Sequence, residues 1–336
     1  MTILLLVLSL MGGSALAAAA APTAARAELA FVGVDHGLPQ LFVIGADGTE
    51  RRQLTSGSGS NTTPVWSPDG RRIAFIHRDG NDSQVYVMNA DGTSQRRLTT
   101  DPGSHASPAW SPDGRAVVFV ATRDGESQIV AVSDTGTRRD LTRPPGERRN
   151  PAWSPDGRLI AFQSKASSGP FDLFVMGADG TNLRQVPTPS FGLQPDVTSF
   201  AWLPDGRLAY TNRSGPAQES LAVTNLDGTG QWFLGTASSP TWSPDGRRLA
   251  FVLSRVGGAQ IDVRDSTGGT PVRLTDPRVI SVRPTWSPDG RQIAFLIIDG
   301  GTVTLTVMDA DGSHKRGLGS VYGDLSARPV FSWRPR

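Results

Sequence analysis

The sequence predicts an all-β fold made of repeated four-stranded antiparallel units, and three observations predict it. The pentapeptide W-S-P-D-G occurs five times and its variant W-L-P-D-G once. Successive tryptophans are separated by 44, 43, 49, 40 and 44 residues, a period typical of an array of one small β unit. No stretch after residue 27 shows helical periodicity. The tryptophans of the repeat are Trp66, Trp110, Trp153, Trp202, Trp242 and Trp286.

Each unit can be divided into four strands by its own turn chemistry. In the first complete copy, Pro68 fixes φ at the second turn position and Gly70 relieves the exit, so W-S-P-D-G joins strands one and two. Asp69 and its equivalents are predicted to cap backbone N–H groups of this turn. A third strand ends at Asn89 before Asp91-Gly92, and R-R-L-T resumes as the fourth strand.

The arrangement of the units follows from their apolar second strands. Stretches such as I-A-F-I and V-V-F-V are apolar on both faces and need cover on both sides. Four-stranded sheets stacked around an axis supply that cover, which predicts a β-propeller.

The two ends of the chain are predicted to share one blade. Residues 28–55 read as a unit without its first strand, and Arg328–Ser332 aligns with Arg283–Ser287. This alignment places Phe331 at the tryptophan position, 45 residues after Trp286. A composite blade from residues 28–55 and 327–334 would close a ring of seven blades and remove its open sheet edges.

Residues 1–27 are predicted to be a signal peptide, and residues 28–336 a single propeller domain. Residues 3–21 are apolar apart from two serines, and Ala25-Arg26-Ala27 provides a small-x-small cleavage site. The competing interpretation is an uncleaved anchor of about 19 residues. With no cysteine in the chain, disulfides and lipid attachment through cysteine are excluded. We expect a periplasmic or secreted monomer that is not inserted in a membrane after removal of the signal.

The charge balance argues against a nucleic-acid partner. The chain has 33 basic and 31 acidic residues, for a formal net charge of +2. No arginine-rich stripe with interleaved aromatic residues appears, although such a stripe is the expected footprint of nucleic-acid binding.

The repeat as a whole resembles a known family. W-S-P-D-G-R-x-I-A-F, followed by a strand ending in A-D-G-T and a terminal R-x-L-T, resembles the TolB-type propeller repeat over residues 28–336. The resemblance implies the propeller fold, without the α/β domain that precedes the propeller in TolB. Similar propellers precede the hydrolase domain of prolyl oligopeptidase-like peptidases, and no such domain is expected here.

A binding site is predicted at the mouth of the channel, on the rim formed by the loops that join the fourth strand of one unit to the next unit. These loops differ between units, and variable loops on a rigid scaffold commonly carry binding. Arg148, Arg149 and His105 belong to the same rim. Because the forked donors of arginine suit carboxylates and phosphates, we expect an acidic peptide or a small anion there. The residues three before each tryptophan position, called the mouth positions, are Thr63, Ser107, Asn150, Ser199, Ser239, Arg283 and Arg328.

Other residues receive structural interpretations. The repeat tryptophans and Phe331 are predicted to pack between blades. His36, His77, His105 and His314 are predicted to lie at the surface, with no spacing that suggests zinc. Asp309-Ala-Asp311-Gly312 echoes the start of a calcium loop but lacks its remaining ligands, so it is interpreted as a turn. No metal or cofactor is predicted.

Two classes of function follow. The first is a non-catalytic envelope protein that holds a peptide, a partner protein or a small anionic ligand. The second is a lyase or hydrolase acting on a glycan, because propellers resembling this one include such enzymes. The sequence has no G-x-S-x-G motif and no cysteine nucleophile. Paired carboxylates for glycoside chemistry stay open among Asp35, Asp79, Asp124, Glu126, Glu147, Asp196 and Glu219.

Overall fold

A computed structural model describes residues 27–166, 168–188, 196–215, 218–255, 257–322 and 330–335. These residues form 28 β-strands. The predicted signal peptide lies outside them, apart from Ala27.

The strands follow one another with short connections. The first fourteen are β1 Glu28–Asp35, β2 Leu38–Gly45, β3 Arg52–Gln53, β4 Ser60–Trp66, β5 Arg72–Asp79, β6 Asp82–Asn89, β7 Arg96–Arg97, β8 Ser104–Trp110, β9 Ala116–Arg123, β10 Glu126–Ser133, β11 Arg138–Asp140, β12 Glu147–Trp153, β13 Leu159–Lys165 and β14 Asp172–Gly177. The others are β15 Arg184–Gln185, β16 Val197–Trp202, β17 Leu208–Gly215, β18 Gln218–Thr224, β19 Trp232–Thr236, β20 Ser238–Trp242, β21 Arg248–Arg255, β22 Gly258–Asp265, β23 Gly268–Arg273, β24 Ile280–Trp286, β25 Gln292–Asp299, β26 Thr302–Asp309, β27 Arg316–Ser320 and β28 Phe331–Trp333.

The strands build a propeller of four-stranded antiparallel blades. Five sheets have four strands each: β28-β1-β2-β3, β12 to β15, β16 to β19, β20 to β23 and β24 to β27. A sixth sheet has eight strands, β4 to β11, because a parallel bridge between Ser83 and Ser104 joins β6 to β8. The hydrogen-bonded sheets therefore separate five four-stranded blades, and they do not confirm the predicted count of seven.

The W-S-P-D-G turns form as the sequence predicts. In the second copy, Gly114 N–H donates to the Ser111 carbonyl at 2.8 Å, and the Asp113 carboxylate accepts from the Arg115 N–H at 3.0 Å. Asp113 also accepts from the Ser111 hydroxyl at 2.5 Å. The predicted capping role of the turn aspartates is confirmed at six copies: Asp69, Asp113, Asp156, Asp205, Asp245 and Asp289.

These turns are expected to make the fold sensitive to acid. The hydrogen bonds from the Ser111 hydroxyl and the Arg115 N–H lower the pKa of Asp113. A carboxyl group with a lowered folded pKa stabilises the fold above its unfolded pKa of about 3.9, and this stability is lost as pH falls through the folded pKa. Asp113→Asn should therefore flatten the fall in unfolding free energy below about pH 4, measured by urea denaturation at several pH values.

A matched control for this experiment is Asp124→Asn, which also removes one carboxylate. Asp124 is exposed, and its carboxylate lies 3.5 Å from the Arg123 guanidinium, outside any W-S-P-D-G turn. Parallel pH profiles for Asp113→Asn and the unmodified protein would contradict the proposed contribution of the turn.

The core consists of hydrophobic clusters between successive four-strand units. The described residues form seven such clusters. One cluster joins Leu305 of β26 to Phe31 of β1 and Phe331 of β28, so the last unit packs against the first. A buried aromatic ring recurs in the second strand of each unit: Phe31, Phe75, Phe119, Phe162, Tyr210, Phe251 and Phe295.

The chain ends share a sheet, but the alignment that placed Phe331 at the tryptophan position is wrong. Leu29 of β1 pairs with Trp333, in the way that Ile73 of β5 pairs with Trp66. The Trp333 indole N–H donates to the Thr285 carbonyl at 3.0 Å, and Trp110, Trp202 and Trp286 make the same bond to the preceding unit. Trp333 is therefore the seventh member of the series.

The error has a simple cause. R-P-V-F-S matches R-P-T-W-S at four of five positions if an aromatic exchange is allowed, whereas the correct match rests on Trp333 and Pro335 alone. Phe331 is nevertheless buried, at 5% exposure, in the same closing strand.

Candidate functional site

A cavity of about 420 Å³ lies where the first strands of the units converge. Nearly all of its lining comes from the three residues that precede each tryptophan position, and Gln163 is the exception. The lining residues are Val65, Ser107, Pro108, Ala109, Asn150, Pro151, Ala152, Gln163, Ser199, Phe200, Ser239, Pro240, Thr241, Arg283, Pro284, Thr285, Val330 and Phe331. The cavity therefore occupies the predicted channel mouth.

Five of the predicted mouth residues meet there: Ser107, Asn150, Ser199, Ser239 and Arg283. Thr63 is buried at 5% exposure and does not line the cavity. Arg328 lies outside the described residues. Since Trp333 holds the tryptophan position, the residue three before it is Val330, which does line the cavity.

A backbone irregularity shapes the mouth. Five mouth positions have positive φ values between 50° and 57°: Thr63, Ser107, Asn150, Ser239 and Arg283. The strand register shifts at each of these points, as in a β-bulge that redirects a side chain. Such φ values are unfavourable for residues other than glycine. Their recurrence shows that the bulge belongs to the scaffold and presents one side chain per unit.

One side of the cavity carries a chain of polar groups. The Ser107 hydroxyl donates to the Asn150 side-chain oxygen at 3.3 Å, and the Asn150 amide donates to the Gln163 side-chain oxygen at 2.8 Å. The Gln163 amide donates to the Val197 carbonyl. This connection fixes the orientation of Asn150 toward the cavity.

The sequence analysis did not predict Gln163 as a residue of the cavity, although the repeat pattern contains a signal for it. It is fully buried and follows I-A-F. Most other units have an apolar residue at this position: Ile76, Val120, Val252 and Leu296. A polar residue at an otherwise apolar core position usually has a hydrogen-bond partner, here the mouth residue of its own unit.

The charge of the cavity is set by Arg283. All lining residues are described, and Arg283 is the only charged one among them. The rest combine proline, alanine and other apolar groups with serine, threonine, asparagine and glutamine. This lining offers apolar walls, several neutral hydrogen-bond groups and one cation.

Arg148 and Arg149 are held elsewhere. The Arg148 guanidinium donates to the carbonyls of Ser127 at 2.7 Å and Arg143 at 2.8 Å. Burial lowers its pKa, with Glu126 acting in the opposite direction. The Arg149 guanidinium lies 3.5 Å from the centre of the Phe171 ring and donates to the Val197 carbonyl at 3.1 Å. Neither lines the cavity.

The prediction that His105 lies at the surface is wrong, because its side chain is only 1% exposed. Its Nδ1 lies 2.7 Å from the Ser83 carbonyl, and its Nε2 lies 3.1 Å from the Asp101 carboxylate. Arg138 reaches the same carboxylate at 2.7 Å. His105 therefore joins β8 to β6 beside the parallel bridge, and it is not part of the cavity.

Three of the seven candidate carboxylates for glycoside chemistry have local partners. Glu147 lies 2.6 Å from the Lys165 ammonium, Glu126 accepts from the Gly146 N–H at 2.7 Å, and Asp196 accepts from the Phe171 N–H at 3.1 Å. None of them lines the cavity. Within the described ranges, no three His, Asp or Glu side chains are grouped so that they could hold a metal ion.

The tryptophans of the repeat lie between blades. Trp66, Trp110, Trp242 and Trp286 are between 4% and 8% exposed, whereas Trp153 and Trp202 are half-buried. Indole N–H groups of Trp110 and Trp286 donate at 3.1 Å to the carbonyls of Val65 and Thr241 in the preceding units.

Repeated blades around a channel with a lined mouth define the class of the protein as a β-propeller with a central cavity. The TolB beta propeller domain family matches residues 10–138 and 194–335. The chain belongs to this family. Among the residues that the structure describes, no helix has the length and apolar character needed to cross a membrane.

Individual relatives resemble parts of the chain. The Tol-Pal system protein TolB of Alcanivorax borkumensis is 33% identical over 99 residues, which are 28% of this chain and 22% of that protein. The chain thus matches less than a quarter of the length of this relative.

Solved structures share the fold at low identity. TolB from Acinetobacter baumannii superposes with a TM-score of 0.59 at 18% identity, over 92% of this chain and 67% of that one. Oligogalacturonate lyase from Vibrio parahaemolyticus gives a TM-score of 0.68 at 16% identity, over 84% and 86% of the two chains. The neighbours therefore include both a TolB and a propeller enzyme.

Proposed function

We propose that this protein is an exported, non-catalytic binding protein whose channel mouth holds a peptide segment of a partner protein or a small anionic ligand. The observation that carries the proposal is the cavity of about 420 Å³ in which five predicted mouth residues meet. A concave, largely apolar site with a few converging polar groups is the usual form of a small-ligand or peptide site.

The chemistry of the cavity favours one negatively charged group on a partly apolar ligand. Arg283 can offer a planar pair of donors to a carboxylate, and Ser239 and Asn150 add neutral hydrogen-bond groups. The prolines and alanines would pack against an apolar body. No carboxylate is among the residues that line the cavity.

The first test uses Arg283→Ala. Losing a charge-assisted hydrogen bond costs about 1.5–3 kcal/mol, so binding of an anionic partner should weaken roughly 10- to 100-fold. The partner would be captured from envelope extract, with and without chelator, and its affinity measured by calorimetry.

The control variant is Arg123→Ala, which removes an exposed arginine that pairs with Asp124 and does not line the cavity. Its binding should equal that of the unmodified protein. Equal capture by Arg283→Ala and the unmodified protein would remove the channel mouth from the proposal. A glycan turned over by the purified protein would instead support the enzyme alternative.

The ring that carries this site has seven blades in our proposal. The eight-stranded sheet divides at the single bridge between Ser83 and Ser104 into β4 to β7 and β8 to β11. Seven hydrophobic clusters, each between successive units, support this division. Residues 28–336 would form this one domain as a monomer, after removal of residues 1–27 during export to the periplasm or the medium.

A further inference from the structure

Three junctions between units share a contact that we call the arginine clip. In it, a guanidinium lies over the tryptophan of the next unit and donates to the glycine carbonyl of the W-S-P-D-G turn there. The Arg72 guanidinium lies 4.8 Å from the centre of the Trp110 ring and donates to the Gly114 carbonyl at 2.7 Å. Its other nitrogen lies 3.8 Å from the Asp134 carboxylate.

The same clip recurs with other residues. The Arg248 guanidinium lies 4.6 Å from the centre of the Trp286 ring and donates to the Gly290 carbonyl at 3.0 Å. At the composite sheet, Arg334 lies 5.1 Å from the centre of the Trp66 ring and donates to the Gly70 carbonyl at 2.9 Å. At three junctions, therefore, a guanidinium is held by the same pair of groups, a tryptophan ring and a glycine carbonyl.

The junction between β9 and Trp153 is one of those that have the receptor side of the clip without its arginine. Ala116 opens β9 and pairs with the last residue of β10, as Arg72 and Arg248 do in their units. A groove of about 520 Å³ lies there, lined by Ala116, Trp153 and Gly157 among others. Trp153 is half-buried.

The turn side of the groove matches that of the filled clips, whereas Ala178 lines the groove at the position of Asp134, the acidic neighbour of Arg72. Pro112 contacts Gly157 in the way that Pro68 flanks Gly114. The groove begins beside Ala116, which stands at the position of Arg72 in its own unit. From there it extends to the turn that contains Gly157.

The charges around the groove also suit a cation. Asp113 and Asp156 line it, and hydrogen bonds from Ser111 and Ser154 lower the pKa of their carboxyl groups, so both are ionised at neutral pH. Arg115 is the one basic residue in the lining. Its equivalents Arg71 and Arg247 directly precede the clip arginines Arg72 and Arg248, so a cation in this position is compatible with a clip.

We propose that this groove binds the guanidinium of an arginine side chain exposed on a partner protein. The ring of Trp153 would lie against the guanidinium plane, the Gly157 carbonyl would accept from one nitrogen, and the aspartates would supply the negative charge. The groove shares no lining residue with the channel cavity, so this proposal does not depend on the proposed function.

The test follows the Trp153 indole resonance in protein labelled with ¹⁵N-tryptophan, assigned through Trp153→Phe. Titration with the blocked peptide acetyl-Gly-Arg-Gly-amide should shift this resonance. The same peptide with lysine in place of arginine should bind about tenfold more weakly, because an ammonium group cannot stack on the indole ring or donate a planar pair of hydrogen bonds. Ala116→Arg should fill the groove from within and abolish the shift. Arg72→Ala should open a second groove, so that the Trp110 indole responds to the same peptide.

Several results would overturn the proposal. They are an unmoved Trp153 resonance in the unmodified protein, equal binding of the arginine and lysine peptides, or a shift that persists in Ala116→Arg. Binding of free arginine without binding of the blocked peptide would exclude a partner protein as the source of the guanidinium. Arg72→Ala would be checked for folding by circular dichroism before titration, and a folded variant whose Trp110 indole does not respond would also count against the clip as a template.

Discussion

Deletion of residues 327–336 is expected to unfold or aggregate the protein at room temperature. The deletion removes β28, which pairs with β1 through Phe31, Ala30 and Leu29. It also removes the Arg334 guanidinium, which lies 2.5 Å from the Glu28 carboxylate. The first sheet would be left with three strands and with β1 as an unpaired edge.

The energetic scale supports a large effect. Val330, Phe331 and Trp333 are between 3% and 6% exposed and belong to the cluster that joins the last unit to the first. Loss of one buried large ring costs about 3–5 kcal/mol, whereas a whole domain is stable by about 5–15 kcal/mol. The exposed edge of β1, whose central residues are apolar, also offers a template for association.

Size-exclusion chromatography with light scattering and a thermal melt would measure the outcome. Trp333→Phe is the control, because it keeps the strand and loses only the larger ring with its hydrogen bond to Thr285. A soluble truncated protein with an unchanged melting temperature would show that β28 does not close the ring.

Trp110→Ala is expected to lower the free energy of unfolding by about 3–5 kcal/mol. The ring is 7% exposed and packs in the cluster between β4 to β7 and β8 to β11. It also donates to the Val65 carbonyl and lies under the Arg72 guanidinium. One substitution therefore removes apolar packing, a hydrogen bond and a cation–π contact at one junction.

Urea denaturation would give this free energy, with Trp232→Ala as the matched control. Trp232 lies half-buried on the outer strand β19, away from the repeat position. Its loss should cost clearly less than the loss of Trp110. Equal and small effects for both variants would contradict the assignment of Trp110 to the core.

The propeller architecture could be predicted from the sequence because the same turn motif recurs in six units. Six copies of one turn fix the strand order, the turn aspartates and the positions that face the channel. The last strand, β28, is not followed by a W-S-P-D-G motif, so it can be aligned with the other first strands only through short flanking matches. A register difference of two residues there keeps the same face buried, which is why Phe331 is in the core even though Trp333 holds the repeat position.

The residues of the candidate site were harder to predict from the sequence than the fold, because the chemistry of the site depends on the direction in which each side chain points. Arg148 and Arg283 both lie in the first strand of their units, yet Arg148 donates to the carbonyls of Ser127 and Arg143, whereas Arg283 lines the cavity. His105 is one of four scattered histidines, and its burial depends on a bridge between two units that no local pattern indicates. The polar residue Gln163 was the one available local signal.

The contact between Glu28 and Arg334 also constrains the order of folding. The two residues are 306 positions apart, so their sheet forms only after nearly the whole chain has been synthesised. Contacts of such sequence separation require a large loop-closure entropy to be overcome and are associated with slow folding. The inner units can assemble from local hairpins first, and the completion of the ring becomes the last step and the one most exposed to competing association.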